Sequence, residues 1–228
     1  MTAEAVRVVP DRPAALRPTV VVVDDHSLVA DTVALALRGR GIAVTAAEPA
    51  AFIERIDEDA PPGGLVLLDL DLGAGRDGVE LVPTLRRVGW RVLMFTATRN
   101  QTRLALAVAA GAVGWVCKSS PFDDLVQAVV RAAAGQPLLS VAEHTRLLAV
   151  ARTAGAAARQ ERERWQRLTP LEREVVSRIV AGRRPATIAQ EFVVSVATVR
   201  SQIRSILAKL EVSSQLEVAA LVRRHERC

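Results

Sequence analysis

The sequence predicts a doubly wound α/β domain on a five-stranded parallel sheet, joined to a small all-α domain of four helices. Three observations carry that expectation. Five short, continuously apolar runs alternate with helix-period segments up to Ser140, and continuous hydrophobicity implies strands buried on both faces. Four helical segments, two with clear N-caps, follow one another after Leu168. The charge is also divided. The 228 residues carry a net +5, but up to Ser140 there are 14 Lys+Arg against 16 Asp+Glu, and from Val141 onward 16 against 9. A slightly acidic module followed by a basic one points to an anionic partner for the second.

The first strand is VVVV, Val20 to Val23, followed by a helix from Ser27 to Arg38. The weaker run IAVTAA, Ile42 to Ala47, gives the second strand, with a helix from Ala50 to Glu58. LVLL (Leu65 to Leu68) precedes a helix from Val79 to Arg87, and VLMF (Val92 to Phe95) one from Gln101 to Ala110. GWVC (Gly114 to Cys117) is the fifth strand, and Ser120-Pro121 reads as the N-cap and first-turn pair of a helix reaching Ala134. Gly135-Gln136-Pro137 closes the domain. The stretch from Val141 to Arg167 is rich in Ala, Arg and Glu and has no large aliphatic between Val150 and Leu168, so it reads as a helical or partly flexible connection. Thr169-Pro170-Leu171-Glu172 is a capping box opening a helix that runs to Gly182. Helices from Ala186 to Phe192, Val196 to Leu210 (capped by Ser195) and Ser214 to Arg224 complete the chain. The expected divisions are an extension over 1–18, an α/β domain over 19–140, a connection over 141–166 and a helical domain over 167–228.

Cys117 and Cys228 lack CxxC spacing, so neither a disulfide framework nor a zinc site is expected. The N-terminal MTAEAVRVVPDRP has acids, Arg and Pro where a signal peptide needs an apolar run. The longest uncharged run, between Arg103 and Lys118, falls short of the ~18 apolar residues of a membrane span. The expectation is a cytoplasmic protein with no membrane partner.

Polar residues stand immediately after the strands: Asp24-Asp25 after the first, Asp69 after the third, Thr96 after the fourth and Lys118 after the fifth. Ligands bind at the carboxyl ends of the strands in open parallel sheets. Three carboxylates gathered there repel one another unless a hard cation or a lysine neutralises them, and Mg²⁺ suits oxygen donors. A carboxylate beside Mg²⁺, a hydroxyl and an ammonium has what it needs to accept a phosphoryl group. One Asp after a strand is ordinarily a turn former. The reading rests on the whole set, each member at its own strand end.

With these residues in place, the first 140 residues resemble the flavodoxin-like receiver domain of two-component response regulators. The resemblance implies that Asp69 is the phosphoacceptor and that Asp24 and Asp25 help it bind Mg²⁺, with the Asp71 backbone carbonyl as a further ligand. It makes Thr96 the switch hydroxyl and Lys118 the contact to the phosphoryl group. Trp115 falls at the switch-aromatic position, with a plain role in the strand core equally open. The Asp71 side chain and Thr98 would border the path of the hydrolytic water, and His26 would be positional. Two departures stand out: Gly73 where the family has Pro, and a loop LGAGRDG one residue longer than usual before Gly78. Both imply a looser loop around the metal and slower phosphorylation.

The segment LTPLEREVVSRIVAGRRPATIAQEFVVSVATVRSQIRSILAKLEV resembles the LuxR-type helix-turn-helix of the NarL/FixJ subfamily. Leu168-Thr169-Pro170, Glu172, Glu174-Val175, Ala181-Gly182, Ile188-Ala189, Thr198-Val199 and Lys209-Leu210 carry that resemblance. Periodicity alone puts Val199, Ile203, Ile206, Leu207 and Leu210 on one stripe, leaving Ala197, Arg200, Ser201, Arg204 and Ala208 opposite. That narrow face carries no acid and suits a major groove ~12 Å wide. The resemblance implies Arg200, Ser201 and Arg204 as base readers. Thr198 joins them on the DNA side, and Gln202, Lys209, Arg183 and Arg184 would position the phosphate backbone. Departures are Pro185-Ala186 where Asn-Lys is frequent, and Glu211 where a left-handed helix cap favours Gly.

Together the two resemblances imply a transcription factor. A sensor histidine kinase phosphorylates Asp69, Thr96 and Trp115 shift the face around the fourth helix and fifth strand, and a homodimer engages paired half-sites in double-stranded DNA. Such a chain is not a metabolic enzyme, since the receiver only catalyses phosphoryl transfer to, and hydrolysis from, its own Asp69. A signalling adaptor working through protein partners, and a DNA-binding regulator with a phosphorylation-independent receiver, are the other classes the sequence admits.

Overall fold

The computed structural model describes residues 19–56 and 64–225. The chain divides into two compact units, the first ending at Ala151 and the second beginning at Arg152.

In the first unit, strands β1 (Thr19–Val23), β2 (Ala43–Ala47), β3 (Leu65–Leu68), β4 (Arg91–Thr96) and β5 (Gly114–Cys117) alternate with helices. These are α1 (Ser27–Gly39), α2 (Pro49–Glu54), α3 (Gly78–Arg87), α4 (Gln101–Ala110) and α5 (Phe122–Ala133). The strands form one all-parallel sheet in the order β2-β1-β3-β4-β5, the expected doubly wound arrangement. Alternate residues of the apolar runs feed two cores, which is why the runs are continuous. Val20, Val22, Leu65 and Leu67 face α1 and α5 through Ala34, Leu37, Leu125 and Val129. Val21, Val23, Val66 and Leu68 face the opposite layer, with Val82, Leu85, Leu104 and Ala107.

Several helix ends differ from the sequence expectation by a residue or two, and at α2 and α5 the cap gives the reason. Helix α2 begins at Pro49, with the Glu48 carboxylate accepting from the Ala50 and Ala51 amides, and it ends at Glu54; the expected end at Glu58 lies outside the described residues. Helix α5 begins at Phe122 with Pro121 at the N-cap and no side-chain cap. The Pro121 carbonyl accepts the first bonds of the helix, from the Asp124 amide at 3.0 Å and the Leu125 amide at 3.4 Å, so Ser120 stands one residue before the cap, in a turn onto the Cys117 carbonyl at 2.9 Å.

Helix α6 (Val141–Gln166) is one continuous helix. Within the first unit its Leu147 and Ala151 pack with Ala105 and Val108 of α4, and Trp115 lies against this cluster.

The second unit contains α7 (Pro170–Val180), α8 (Pro185–Glu191), α9 (Val196–Leu210) and α10 (Gln215–His225). The capping box is formed, with Thr169 and Glu172 bonding reciprocally, and Ser195 caps α9 by accepting from the Thr198 amide. The core joins Leu168, Val175, Val176, Ile179, Ile188 and Val218 to the buried stripe of α9, Val199, Ile203, Ile206 and Leu210. Among the described residues no helix is long and apolar enough to cross a membrane.

Candidate functional site

Parallel register brings the ends of β1, β3, β4 and β5 to one edge of the sheet: Val23 pairs with Leu68, and Thr96 with Cys117. Two bonds extend the ladders, from the Asp69 amide to the Val23 carbonyl at 3.0 Å and from the Lys118 amide to the Thr96 carbonyl at 2.8 Å. Asp24, Asp69 and Thr96 are therefore buried where the strands stop. The Lys118 ammonium sits between the acids, with Nζ 2.6 Å from Asp24 Oδ2 and 2.7 Å from Asp69 Oδ2. The other Asp69 oxygen accepts from the Leu70 amide at 2.6 Å. Thr96 Oγ1 accepts from the Thr98 amide at 3.2 Å, and the Thr98 hydroxyl oxygen accepts from the Asn100 amide.

Burial pushes the Asp69 carboxyl above the ordinary carboxylate range, and the neighbouring Asp24 charge adds to this; the Lys118 ammonium and the Leu70 amide oppose it. Burial disfavours the Lys118 ammonium too, yet its bonds to Asp24 and Asp69 hold its pKa above the usual value. Lysine thus stays charged beside an acid pair that would otherwise repel.

Asp25 is partly exposed, and its Oδ1 lies 2.7 Å from His26 Nδ1. The His26 amide donates to Asp24 Oδ1 at 3.0 Å. Ligand atoms of Asp24, Asp25 and His26 lie within 4.8 Å of one another. Among the described residues Asp24, Asp25 and His26 are the group that could hold a metal ion, and the oxygens of Asp24 and Asp25 suit a hard divalent cation retaining waters, whereas Asp69 Oδ2 is held by Lys118 and Oδ1 by the Leu70 amide. Trp115 is half-buried and packs against both the α3–α4 core and the α4–α6 cluster.

The loop after Asp69, which carries Gly73 and the extra residue, is closed by backbone hydrogen bonds at its neck. The Leu72 amide donates to the Arg76 carbonyl at 3.1 Å, the Arg76 amide to Gly73 at 3.0 Å, and the Gly78 amide to Leu70 at 2.8 Å. Asp71 and Asp77 form a β-bridge across its neck. Gly78 is required there, since a Cβ would lie 2.0 Å from the Asp69 carbonyl oxygen. The sequence reading also missed Arg103 of α4, whose guanidinium donates to Asp71 Oδ1 at 2.9 Å and to the Leu70 carbonyl at 3.2 Å. Nothing in the pattern of α4 marks it, because its partners lie 32 and 33 residues earlier.

In the second unit Arg200, Ser201 and Arg204 are exposed on one face of α9, with Thr198 at its start and Gln202 half-buried beside them. Arg200 and Arg204 make no ion pair among the described residues, so their charge is uncompensated. Arg184 is exposed, whereas Arg183 Nε lies 3.8 Å from Glu191. Lys209 requires a correction. Its ammonium does not face outward toward a phosphate backbone but lies 2.8 and 2.7 Å from the two oxygens of buried Glu172. The Ser205 hydroxyl and the Thr169 amide complete that carboxylate's partners, each at 2.7 Å. Burial works against ionisation of Glu172, but Lys209, the Thr169 amide and Ser205 outweigh it and hold the carboxyl at about 2. The lysine is held because a buried carboxylate needs a paired cation.

Comparison with known proteins agrees with both halves. Residues 20–130 match the model of the response regulator receiver domain, and residues 166–222 that of the bacterial regulatory proteins, luxR family. The nitrate/nitrite response regulator protein NarL of Escherichia coli K12 is 30% identical over 212 residues, covering 90% of this chain and 94% of that protein. The probable transcriptional regulatory protein NarL of Mycobacterium tuberculosis H37Rv is 30% identical over 210 residues, 88% of this chain and 91% of that protein. Among solved structures, the response regulator StyR aligns at 25% identity over 91% of this chain and 99% of that chain, with a TM-score of 0.44.

Proposed function

The chain belongs to the NarL/FixJ-type response regulators, which regulate transcription through a receiver and a LuxR-type DNA-binding domain, and from that premise we propose that phosphorylation of Asp69 controls DNA binding by α9. The observation that carries this reading is the Lys118 ammonium shared by two buried carboxylates at the strand ends, with a buried hydroxyl, Thr96, beside them.

A sensor histidine kinase is the phosphodonor in this reading. A carboxylate oxygen of Asp69 attacks phosphorus, a new O–P bond forms, and the bond from phosphorus to the kinase imidazole breaks, with the ring keeping that electron pair. Asp24 and Asp25, whose oxygens lie close together, would hold Mg²⁺; with Asp69 and the Asp71 carbonyl as the ligands the family resemblance implies, the ion would supply positive charge for the transferring oxygens. Lys118 already lies on Asp69 and can pass to a phosphoryl oxygen, and the Thr96 hydroxyl proton is free to be donated to another. Trp115 packs against both clusters that α4 contributes to and would relay the change. Hydrolysis of the acylphosphate, bordered by Thr98 and the Asp71 side chain, resets the receiver; no metabolite is turned over.

On the DNA side Arg200, Ser201 and Arg204 read base edges in the major groove, while Thr198, Gln202, Arg184 and, more weakly, Arg183 contact the backbone. A homodimer on paired half-sites of double-stranded DNA is the active form in this reading.

The test is labelling. Incubated with a small phosphodonor and Mg²⁺, the native chain should take up acid-stable, alkali-labile phosphate, and Asp69→Ala should take up none. Undiminished labelling of Asp69→Ala would sink the assignment.

A further inference from the structure

The loop between β3 and α3 is tied down from outside itself. Its tip runs through three consecutive left-handed residues, Gly73 (φ 70°), Ala74 (φ 51°) and Gly75 (φ 75°). Glycines give up more backbone freedom on ordering than other residues, so this tip has little intrinsic reason to stay in one place. Its neck is another matter. Asp71 and Asp77 face each other across a bridge, and two carboxylates so placed repel. One guanidinium offsets both: Arg103 donates to Asp71 Oδ1 at 2.9 Å and lies 3.2 Å from Asp77 Oδ2. The same group donates to the Leu70 carbonyl at 3.2 Å, one residue past Asp69. The free Asp77 oxygen accepts from the Val79 amide at 3.0 Å and so starts α3. A planar fork with several donors suits this task, and its side chain is only 27% exposed, which limits screening.

We propose that Arg103 is a positioning residue of the acceptor loop: from α4 it clamps both ends of the neck, fixing the Asp71 carbonyl as a cation ligand. The inference rests on the phosphoacceptor reading of Asp69. It replaces the stiffening that Pro in place of Gly73 would give, and it makes loop order depend on the position of α4.

The test uses the full chain without any phosphodonor. Mg²⁺ affinity is measured by titration calorimetry, and hydrogen exchange is followed at the Leu72, Arg76 and Gly78 amides, which close the loop. Arg103→Gln should weaken Mg²⁺ binding about tenfold, as loss of an outer-shell partner does. Exchange should quicken in the loop while the sheet stays protected. Arg103→Lys should restore part of the affinity. Asp71→Asn should weaken binding in the native background and add little on top of Arg103→Gln. Unchanged Mg²⁺ affinity in Arg103→Gln, or exchange that quickens equally throughout the first unit, would overturn the proposal. Labelling separates the two readings: a native chain whose Mg²⁺ binding needs Arg103 but whose Asp69 takes no phosphate refutes only the acceptor role.

Discussion

Glu172 is a buried carboxylate, and Lys209, its half-buried cation, stands 37 residues further along the chain. Removing only the cation leaves the buried carboxylate with the Thr169 amide and the Ser205 hydroxyl alone, so Lys209→Met should destabilise the unit, read as a fall in the unfolding midpoint. The pH dependence follows from the carboxyl being held at about 2 against its usual 4.5. A depressed pKa gives stability that is complete above the unfolded value and lost as pH falls toward the folded one. The denaturation midpoint of the native chain should therefore drop between about pH 5 and about pH 2 more than that of Glu172→Gln; parallel curves would contradict it. The capping half of this cluster was legible, because Thr169 and Glu172 stand at the spacing a capping box needs. Ser205 and Lys209 were not: periodicity puts them beside the apolar stripe of α9, and only the packing of α9 on α7 reveals what they meet. Arg103 escaped for the same reason, since a guanidinium on a helix looks like a solvated group until the neck of another loop is placed against it.

Elements were legible where one local rule sufficed. The four-residue apolar runs gave β3 and β5 with their observed bounds, and a serine cap followed by a 3.6-residue stripe gave α9 from Val196 to Leu210. The start of α5 was not, because the Pro121 carbonyl, one residue after Ser120, accepts the first bonds of the helix. Two left-handed positions bear on stability at this scale. Val193, in the turn between α8 and α9, has φ 53° although its side chain is 91% exposed and packs against little. A β-branched residue is strained there, so Val193→Asn should stabilise the unit by about 1 kcal/mol. Glu211 ends α9 with φ 56° and ψ 44°, the geometry glycine fills at no steric cost. Its ion pair with Arg164 is half exposed and worth little, so Glu211→Gly should also gain about 1 kcal/mol in thermal unfolding. A lower midpoint in either variant would show that the side chain contributes more than the backbone loses.

At the scale of the whole molecule, the net +5 is the sum of two unlike devices. The first unit collects carboxylates around one lysine at the edge of its sheet, and the second exposes arginines on one face of a helix whose other face is core. Each device was legible in the sequence because each lies at the repeat of its own element: strand ends in one case, a helix face in the other. What would join them in the proposed function, a change at Asp69 felt by α9, is a coupling free energy and belongs to no residue pattern. Binding through the arginine face should also fall steeply with salt, so the coupling has to be read at fixed ionic strength. The central claim is tested most directly by the affinity of the full chain for a duplex chosen by selection from genomic fragments, measured by fluorescence anisotropy before and after a small phosphodonor with Mg²⁺. Affinity should change by at least about fivefold for the native chain and stay constant for Asp69→Ala, while Arg200→Ala with Arg204→Ala should lose preference for the duplex. A native chain that ignores the phosphodonor, or an Asp69→Ala chain that responds like it, would contradict the account.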